Sequence, residues 1–153
     1  MTVQSPVHTL ATSRYALLRS YRKDGTPVDT PIWFAMTGDA LVFRTKRGPK
    51  TGRLRSHPQV ELRPCDARGT VTQTAVFTGR ASILAEDEAQ SANRLLHQRY
   101  GWQWNIVPLL RLPGVTNVHA GLPLSEKFRR ARAATLWADS AIVRVDLDQR
   151  YSG

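Results

Sequence analysis

Residues 15–44 read YALLRSYRKDGTPVDTPIWFAMTGDALVFR, and the fold turns on this stretch. Apolar and polar residues roughly alternate over 15–22, the period of a strand with one buried face. Lys23-Asp24-Gly25-Thr26 then supplies a turn whose glycine can take the positive φ of a tight hairpin. A second strand over 28–36 sets Ile32, Phe34 and Met36 on one face and Trp33 and Ala35 on the other, so both faces are expected to be covered. Thr37-Gly38-Asp39 is the next turn and 40–44 a short third strand, which makes an antiparallel meander.

Working outward, the basic loop 45–52 leads into a short helical turn ending at Ser56. A strand over 60–63 follows, stopped by Pro64, with a turn from Cys65 to Gly69. The stretch 71–84, rich in Val, Thr and Phe, predicts one long or bent strand with a bulge or close approach at Gly79. The period then becomes helical. Ala89, Ala92, Leu96 and Tyr100 line one stripe, three acids open it and Gly101 caps it. Residues 102–112 read as partly helical before Pro113-Gly114. Ser125 is expected to cap a helix through Glu126, Phe128, Ala131 and Leu136, with a basic face of Lys127, Arg129, Arg130 and Arg132. Ala141, Val143, Val145 and Leu147 alternate with polar residues in a last strand. Early strands and a late helical block predict an all-β class, an antiparallel barrel with helical decoration. The expected organisation is a single domain over 1–153, with 1–12 as a flexible N-terminus and 113–138 as a variable helical segment.

The composition is ordinary for a globular chain, 41% apolar and 22% charged, which excludes disordered and collagen-like classes. The charge is not ordinary: 22 Lys and Arg against 12 Asp and Glu give +10. Nucleic acid, an acidic membrane surface and a polyanionic cofactor would all gain from such a field. The single cysteine, Cys65, cannot form an internal disulfide, and no stretch reads as a signal peptide or a membrane span. A cytoplasmic protein with no membrane partner is the expectation.

Chemical motifs are mostly absent. There is no G-x-G-x-x-G, and Gly48-Pro49-Lys50-Thr51 fails as a P-loop because Pro49 stands where glycine is needed and Arg44 where the first glycine should be. His8, His57, His97 and His119 show no ligand spacing, so no metal is expected. Neither a nucleophile elbow nor a Cys-x-x-Cys pair occurs, and no catalytic side chain can be named. A reaction on this chain would draw its reactive group from a cofactor.

The densest set of donors is Thr45, Lys46, Arg47, Lys50, Thr51, Arg53 and Arg55, running from a strand end through a loop into a helical turn. Hydroxyls, backbone N–H groups, a lysine charge, arginine forks and a helix N-terminus together suit a phosphate. The plain alternative is a solvated basic loop. Its position after Thr30-Pro31-Ile32-Trp33-Phe34, across one tight turn, favours the phosphate: one hairpin would present a backbone edge for a flat heterocycle and a grip for its anionic end. For Trp33 a core aromatic is the equal alternative.

These residues carry a resemblance. Gly25-Thr26-Pro27-Val28, Thr30-Pro31-Ile32-Trp33-Phe34, Arg44-Thr45 with Lys50 and Arg53-Leu54, Pro58-Gln59-Val60, Pro64-Cys65-Asp66-Ala67-Arg68-Gly69 and Tyr100-Gly101-Trp102-Gln103 resemble the pyridoxamine 5'-phosphate oxidase-like family, over roughly residues 12–104 and the last strand. Within it they are most similar to the branch that uses the deazaflavin coenzyme F420. The resemblance implies an antiparallel split β-barrel of the FMN-binding type, assembled as a homodimer with the cofactor at the subunit interface. It implies that Thr45, Lys46, Lys50 and Arg53 hold the phosphate, that Thr30, Pro31, Ile32 and Trp33 meet the ring, and that Tyr100 and Trp102 shape a substrate pocket. The implied activity is hydride transfer between F420 and a small organic substrate, with FMN as the alternative cofactor. Pro49 and the long basic stretch 113–138 depart from the pattern. Two further readings stand beside it: a cofactor-storage or tetrapyrrole-binding protein without turnover, and a nucleic-acid module that uses Lys127 to Arg132 and the Thr45 loop as a basic face, with nucleic acid the less expected partner.

Overall fold

The computed structural model describes residues 10–110, 119–133 and 135–148. Six strands, β1 (Tyr15–Tyr21), β2 (Pro27–Thr37), β3 (Ala40–Lys46), β4 (Gln59–Cys65), β5 (Phe77–Ile83) and β6 (Ser140–Leu147), close a barrel in the order β1-β2-β3-β6-β5-β4, every pair antiparallel. The alternation in the sequence is the cause. Ala16, Leu18, Ile32, Phe34, Leu41, Phe43, Val60, Leu62, Val143 and Val145 point inward and fill the barrel. Closing the sheet pairs most of the edges that such apolar strands would otherwise expose, except where β2 and β3 part beyond Phe34↔Phe43. At Gly79 of β5 a Cβ would stand 2.6 Å from Val145 Cγ1 and 2.7 Å from the Asp146 carbonyl oxygen, so the predicted close approach is real.

Helix α1 (Pro49–Ser56) plugs one end of the barrel with the fully buried Leu54. Helix α2 (Glu86–Tyr100) lies across the outer face of β2, β3 and β6. Its stripe of Ala89, Ala92, Leu96 and Tyr100 packs on Ala35, Val42 and Ile142, together with Trp104 of the short helix α3 (Gln103–Ile106), and makes a second core. Both faces of β2 are therefore covered, as its composition required. A 3-10 turn (Val107–Leu109) follows, then helix α4 (Leu124–Ala131) before β6. Among the described residues no helix is long and apolar enough to cross a membrane.

Three expectations are corrected. Strand β4 runs through Pro64 to Cys65 instead of stopping, because beyond Leu62 the ladder with β5 has ended and the missing N–H faces that side, where the Pro64 carbonyl accepts from the Thr72 N–H (3.0 Å). Residues 71–76 do not extend β5. They are mostly exposed, with one isolated bridge from Val71 to Cys65, and of their side chains only Ala75 packs against the barrel core. Helix α4 begins at Leu124 behind Pro123, not at a Ser125 cap, and ends before Leu136. The chain leaves the helix so that the Trp137 indole can donate to the Arg130 carbonyl (3.1 Å) and the Leu136 N–H to Gln90 Oε1 (3.0 Å). The expected N-terminal and 113–138 segments lie in part outside the described residues.

Candidate functional site

The ladder between β2 and β3 runs only from Thr37↔Ala40 to Phe34↔Phe43. Beyond that pair the strands part. Strand β2 continues against β1 from Trp33 to Pro27, and β3 continues against β6 from Arg44 to Lys46. Extending the register sets Thr45 level with Ile32 and Lys46 level with Pro31, across a gap that no ladder closes. The β2 edge along this gap offers backbone donors and acceptors that a ligand can meet. Strand parity divides the side chains. Thr30, Ile32 and Thr45 share the inner face, while Pro31, Trp33 and Lys46 share the outer.

At the end of β3 the chain enters α1 through a closed loop. The Gly48 N–H donates to Thr51 Oγ1 (3.1 Å), and the Thr51 hydroxyl donates to the Gly48 carbonyl (2.8 Å). Pro49 stands in the first turn of the helix, where a missing N–H costs nothing and its fixed φ fits. Gly48 has positive φ, which suits glycine at this entry. Arg47 donates its N–H to the Asp139 carbonyl (2.8 Å), which ties the loop to the approach to β6.

Lys50 and Arg53 share one side of α1. Arg53 Nε reaches the buried Ser20 Oγ at 3.3 Å. Lys50 is half-buried, and among the described residues no carboxylate pairs with it. Burial, and then the neighbouring Arg53 charge, lower its ammonium to about 8. A half-buried cation beside another cation, with no carboxylate brought to it by the described residues, is a place where an anionic ligand would relieve the charge.

The ring-facing candidates behave differently. Thr30 is half-buried opposite Leu18, and Pro31 is exposed on the outer face beside Gly69. The Ile32 side chain is committed to the barrel core. Trp33 sits in an aromatic cluster, its ring 4.7 Å from Tyr100, 5.7 Å from Tyr15 and 6.4 Å from Trp104. What β2 presents toward the gap is therefore backbone rather than these two side chains. Tyr100 is buried, and its hydroxyl accepts from the Phe34 N–H (2.9 Å) while lying 2.7 Å from the Arg14 and 2.8 Å from the Phe34 carbonyl oxygens. It stands where the β1–β2 ladder would continue past Tyr15↔Trp33, filling in for the next pair. Trp102 is exposed and does not share that environment.

Sequence reasoning found Lys50 and Arg53 but not the Gly48–Thr51 closure, although a hydroxyl three residues after a glycine was the available signal. It also missed the cluster beside the loop. The Arg44 guanidinium lies 3.8 Å from the Trp104 ring centre and 4.3 Å from that of Trp137, and donates to the Trp104 carbonyl (2.6 Å). Burial draws its pKa down against the pull of Asp139, yet a guanidinium stays charged. Arg130 pairs with Asp139 at 2.8 Å and crosses the Trp137 ring. Burial works to raise the Asp139 carboxyl, but the bonds and charge of Arg130 hold it below the usual range. The basic face expected on α4 is thus partly neutralised, since Glu126 also engages both Arg129 and Arg130.

Comparison with known proteins gives the fold a context. The sequence profile of the pyridoxamine 5'-phosphate oxidase family matches residues 7–120. No curated protein matches the chain. Among solved structures, the heme storage protein HutZ of Vibrio cholerae is similar at 12% identity, covering 98% of this chain and 93% of that one, with a TM-score of 0.60. An F420 reductase is similar at 21% identity over 97% of this chain and all of that one (100%), with a TM-score of 0.53. An FMN-binding protein of Nostoc punctiforme, related to pyridoxamine 5'-phosphate oxidase, is similar at 16% identity over 92% and 73% of the two chains, with a TM-score of 0.50. At these identities the structural likeness is a likeness of fold.

Proposed function

The chain belongs to the pyridoxamine 5'-phosphate oxidase family, and from that premise we propose that it is an oxidoreductase that binds coenzyme F420 and transfers a hydride between the deazaflavin and a small organic substrate. The observation that carries the reading is Lys50: a half-buried ammonium without an anionic partner among the described residues, on the first turn of α1, the helix that follows β3 where β3 has left the β2 ladder. In this reading Lys50 and Arg53 hold the cofactor phosphate, with Thr45 and Lys46 at its margin. The β2 edge at Thr30, Pro31, Ile32 and Trp33 meets the ring through backbone groups. Bound there, the deazaflavin supplies the hydride chemistry, so no side-chain nucleophile is required. The chain's own work is to fix the ring against the β2 edge, to neutralise its anionic end and to keep water from the reacting face.

One half of such a site is open in a single copy, and we propose a homodimer that closes the gap, with the exposed Trp102 contributing to the substrate pocket across the interface. Tyr100 then acts through β2, holding the strand at Phe34 rather than touching substrate. F420 is favoured over FMN by the cations beyond the first phosphate grip: Lys46, Arg47 and Arg55 are all exposed near the loop and exceed what one phosphate needs, whereas an oligoglutamate tail would use them. Titration of the purified protein with F420 and with FMN, followed by fluorescence quenching, tests the reading. Saturable uptake of F420, followed by turnover of an unsaturated acceptor, is the expected result. Uptake of neither cofactor would end it, and uptake of FMN alone would replace the coenzyme and keep the site.

A further inference from the structure

Helix α4 is amphipathic the wrong way round. Its polar side faces the protein: the Arg130 side chain is only 13% exposed, pairs with Asp139 (2.8 Å) and Glu126 (3.0 Å), and lies 3.5 Å from His119 Nδ1. Its apolar side faces outward. Leu124 is 71% and Phe128 63% exposed, one helical turn apart, and no residue of the helix is buried. Large apolar side chains turned out on a helix whose polar groups are turned in mark a surface that meets something.

The charge around this ridge limits what that is. The only acid of α4, Glu126, is engaged by Arg129 and Arg130, so Lys127, Arg129 and Arg132 border the two apolar residues with no free carboxylate on the helix itself. A second copy carries the same formal charge of +10. Its open apolar groove, formed by Ala11, Ala35, Met36, Leu95, Gln98 and Arg99, would set Arg99 against these cations. A convex ridge of two hydrophobes framed by cations instead complements a soft anionic layer, in which the apolar side chains sink to the acyl boundary and the cations stay at the headgroups.

We propose that α4 docks the protein on an anionic lipid surface through Leu124 and Phe128. This goes beyond the cofactor reading and is independent of it. It also amends the expectation of no membrane partner, which rested on the lack of a span; surface docking needs none. The test is co-sedimentation with vesicles of phosphatidylcholine alone and with vesicles containing about one third phosphatidylglycerol at low ionic strength. Wild-type protein is expected to bind the anionic vesicles and not the neutral ones. Leu124→Ser with Phe128→Ser keeps every charge, so it separates insertion from simple adhesion of a basic protein, and should weaken vesicle binding at least about tenfold. Both positions are exposed, so the variant should keep its melting temperature and its cofactor titration. Equal binding to both vesicle types, or unchanged binding by the variant, would overturn the proposal. So would a wild type that ignores vesicles while the variant changes oligomeric mass, which would give the ridge to a second copy. The cofactor titration on the same samples keeps a failure here separate from a failure of the cofactor site.

Discussion

Replacing Lys50 by Met should move stability and cofactor affinity in opposite directions. The ammonium is lowered from 10.5 to about 8 by burial and by Arg53, and at 1.36 kcal/mol per unit this corresponds to about 3 kcal/mol of unfavourable charging in the folded protein. Residual contact with water reduces the usable part, so Lys50→Met is expected to stabilise the cofactor-free protein by about 1–2 kcal/mol at pH 7. The sign across pH follows from proton counting. Between about 8 and 10.5 the unfolded chain holds a proton on Lys50 that the folded chain has released, so wild-type stability rises with pH through this window. Below it both states are protonated and the penalty is constant. The advantage of the variant should therefore be flat up to pH ~8 and close toward 10.5. Cofactor binding should show the reverse: loss of a charge-assisted contact worth about 1.5–3 kcal/mol, or roughly a 10- to 150-fold weaker dissociation constant. Wild-type affinity should also decline above pH ~8, where the free ammonium deprotonates, while the variant does not follow. Urea unfolding at neutral and alkaline pH and fluorescence titration with F420 measure both. A variant less stable than wild type with unchanged affinity would show that Lys50 serves the fold, and the anion-site reasoning would be wrong.

Tyr100→Phe removes the acceptor of the buried Phe34 N–H and should cost about 1–3 kcal/mol in urea unfolding. Because Phe34 lies on the strand proposed to meet the ring, cofactor affinity should fall with it; a loss of affinity with no loss of stability would place Tyr100 in direct contact with ligand. Gly79→Ala drives a Cβ against Val145 and the Asp146 backbone, and should destabilise by about 1–3 kcal/mol with cofactor affinity retained in the folded fraction, read by the same two assays. His119 is buried against Trp137, and burial lowers its imidazole despite Asp139. A lowered histidine must gain a proton on unfolding, so stability should fall as pH drops below 6.5, and His119→Phe should flatten that slope. An unaltered slope would mean that the imidazole takes up its proton alike in the folded and unfolded protein, against the expected lowering.

The barrel was legible because its strands alternate and its turns carry their own chemistry. Leu41, Phe43, Val143 and Val145 read as one face in the chain and are one face in the fold. The helix Glu86–Tyr100 was legible for the same reason at the other period. The basic loop 45–52 was legible as residue types, but not as a site. That no carboxylate among the described residues pairs with Lys50 depends on what the rest of the barrel brings to it, and no local pattern encodes an absence. Tyr100 illustrates a similar limit. Its ring was correctly read as part of the helix stripe, whereas the use of its hydroxyl depends on where β1 begins, a neighbour 86 residues away in sequence from Arg14.

Helix α4 exposes a deeper limit of pattern reading. A period of 3.6 shows that a helix has two sides, and the usual inference assigns the apolar side to the core because burial of Leu and Phe drives folding. That inference assumes nothing else competes for the position. Here Arg130 has Asp139, Glu126 and the Trp137 ring as partners, and the Arg130 carbonyl has the Trp137 indole. Satisfying a partly buried guanidinium with two carboxylates and an aromatic face turns the helix by its polar side, and Leu124 and Phe128 go where that leaves them. Exchanging Arg130 for Met should therefore release the polar anchor and let the helix roll, which would lower the exposure of Phe128 and weaken vesicle binding although neither apolar residue has changed. If the ridge stays exposed in that variant, the ion pairs follow the orientation of the helix instead of setting it.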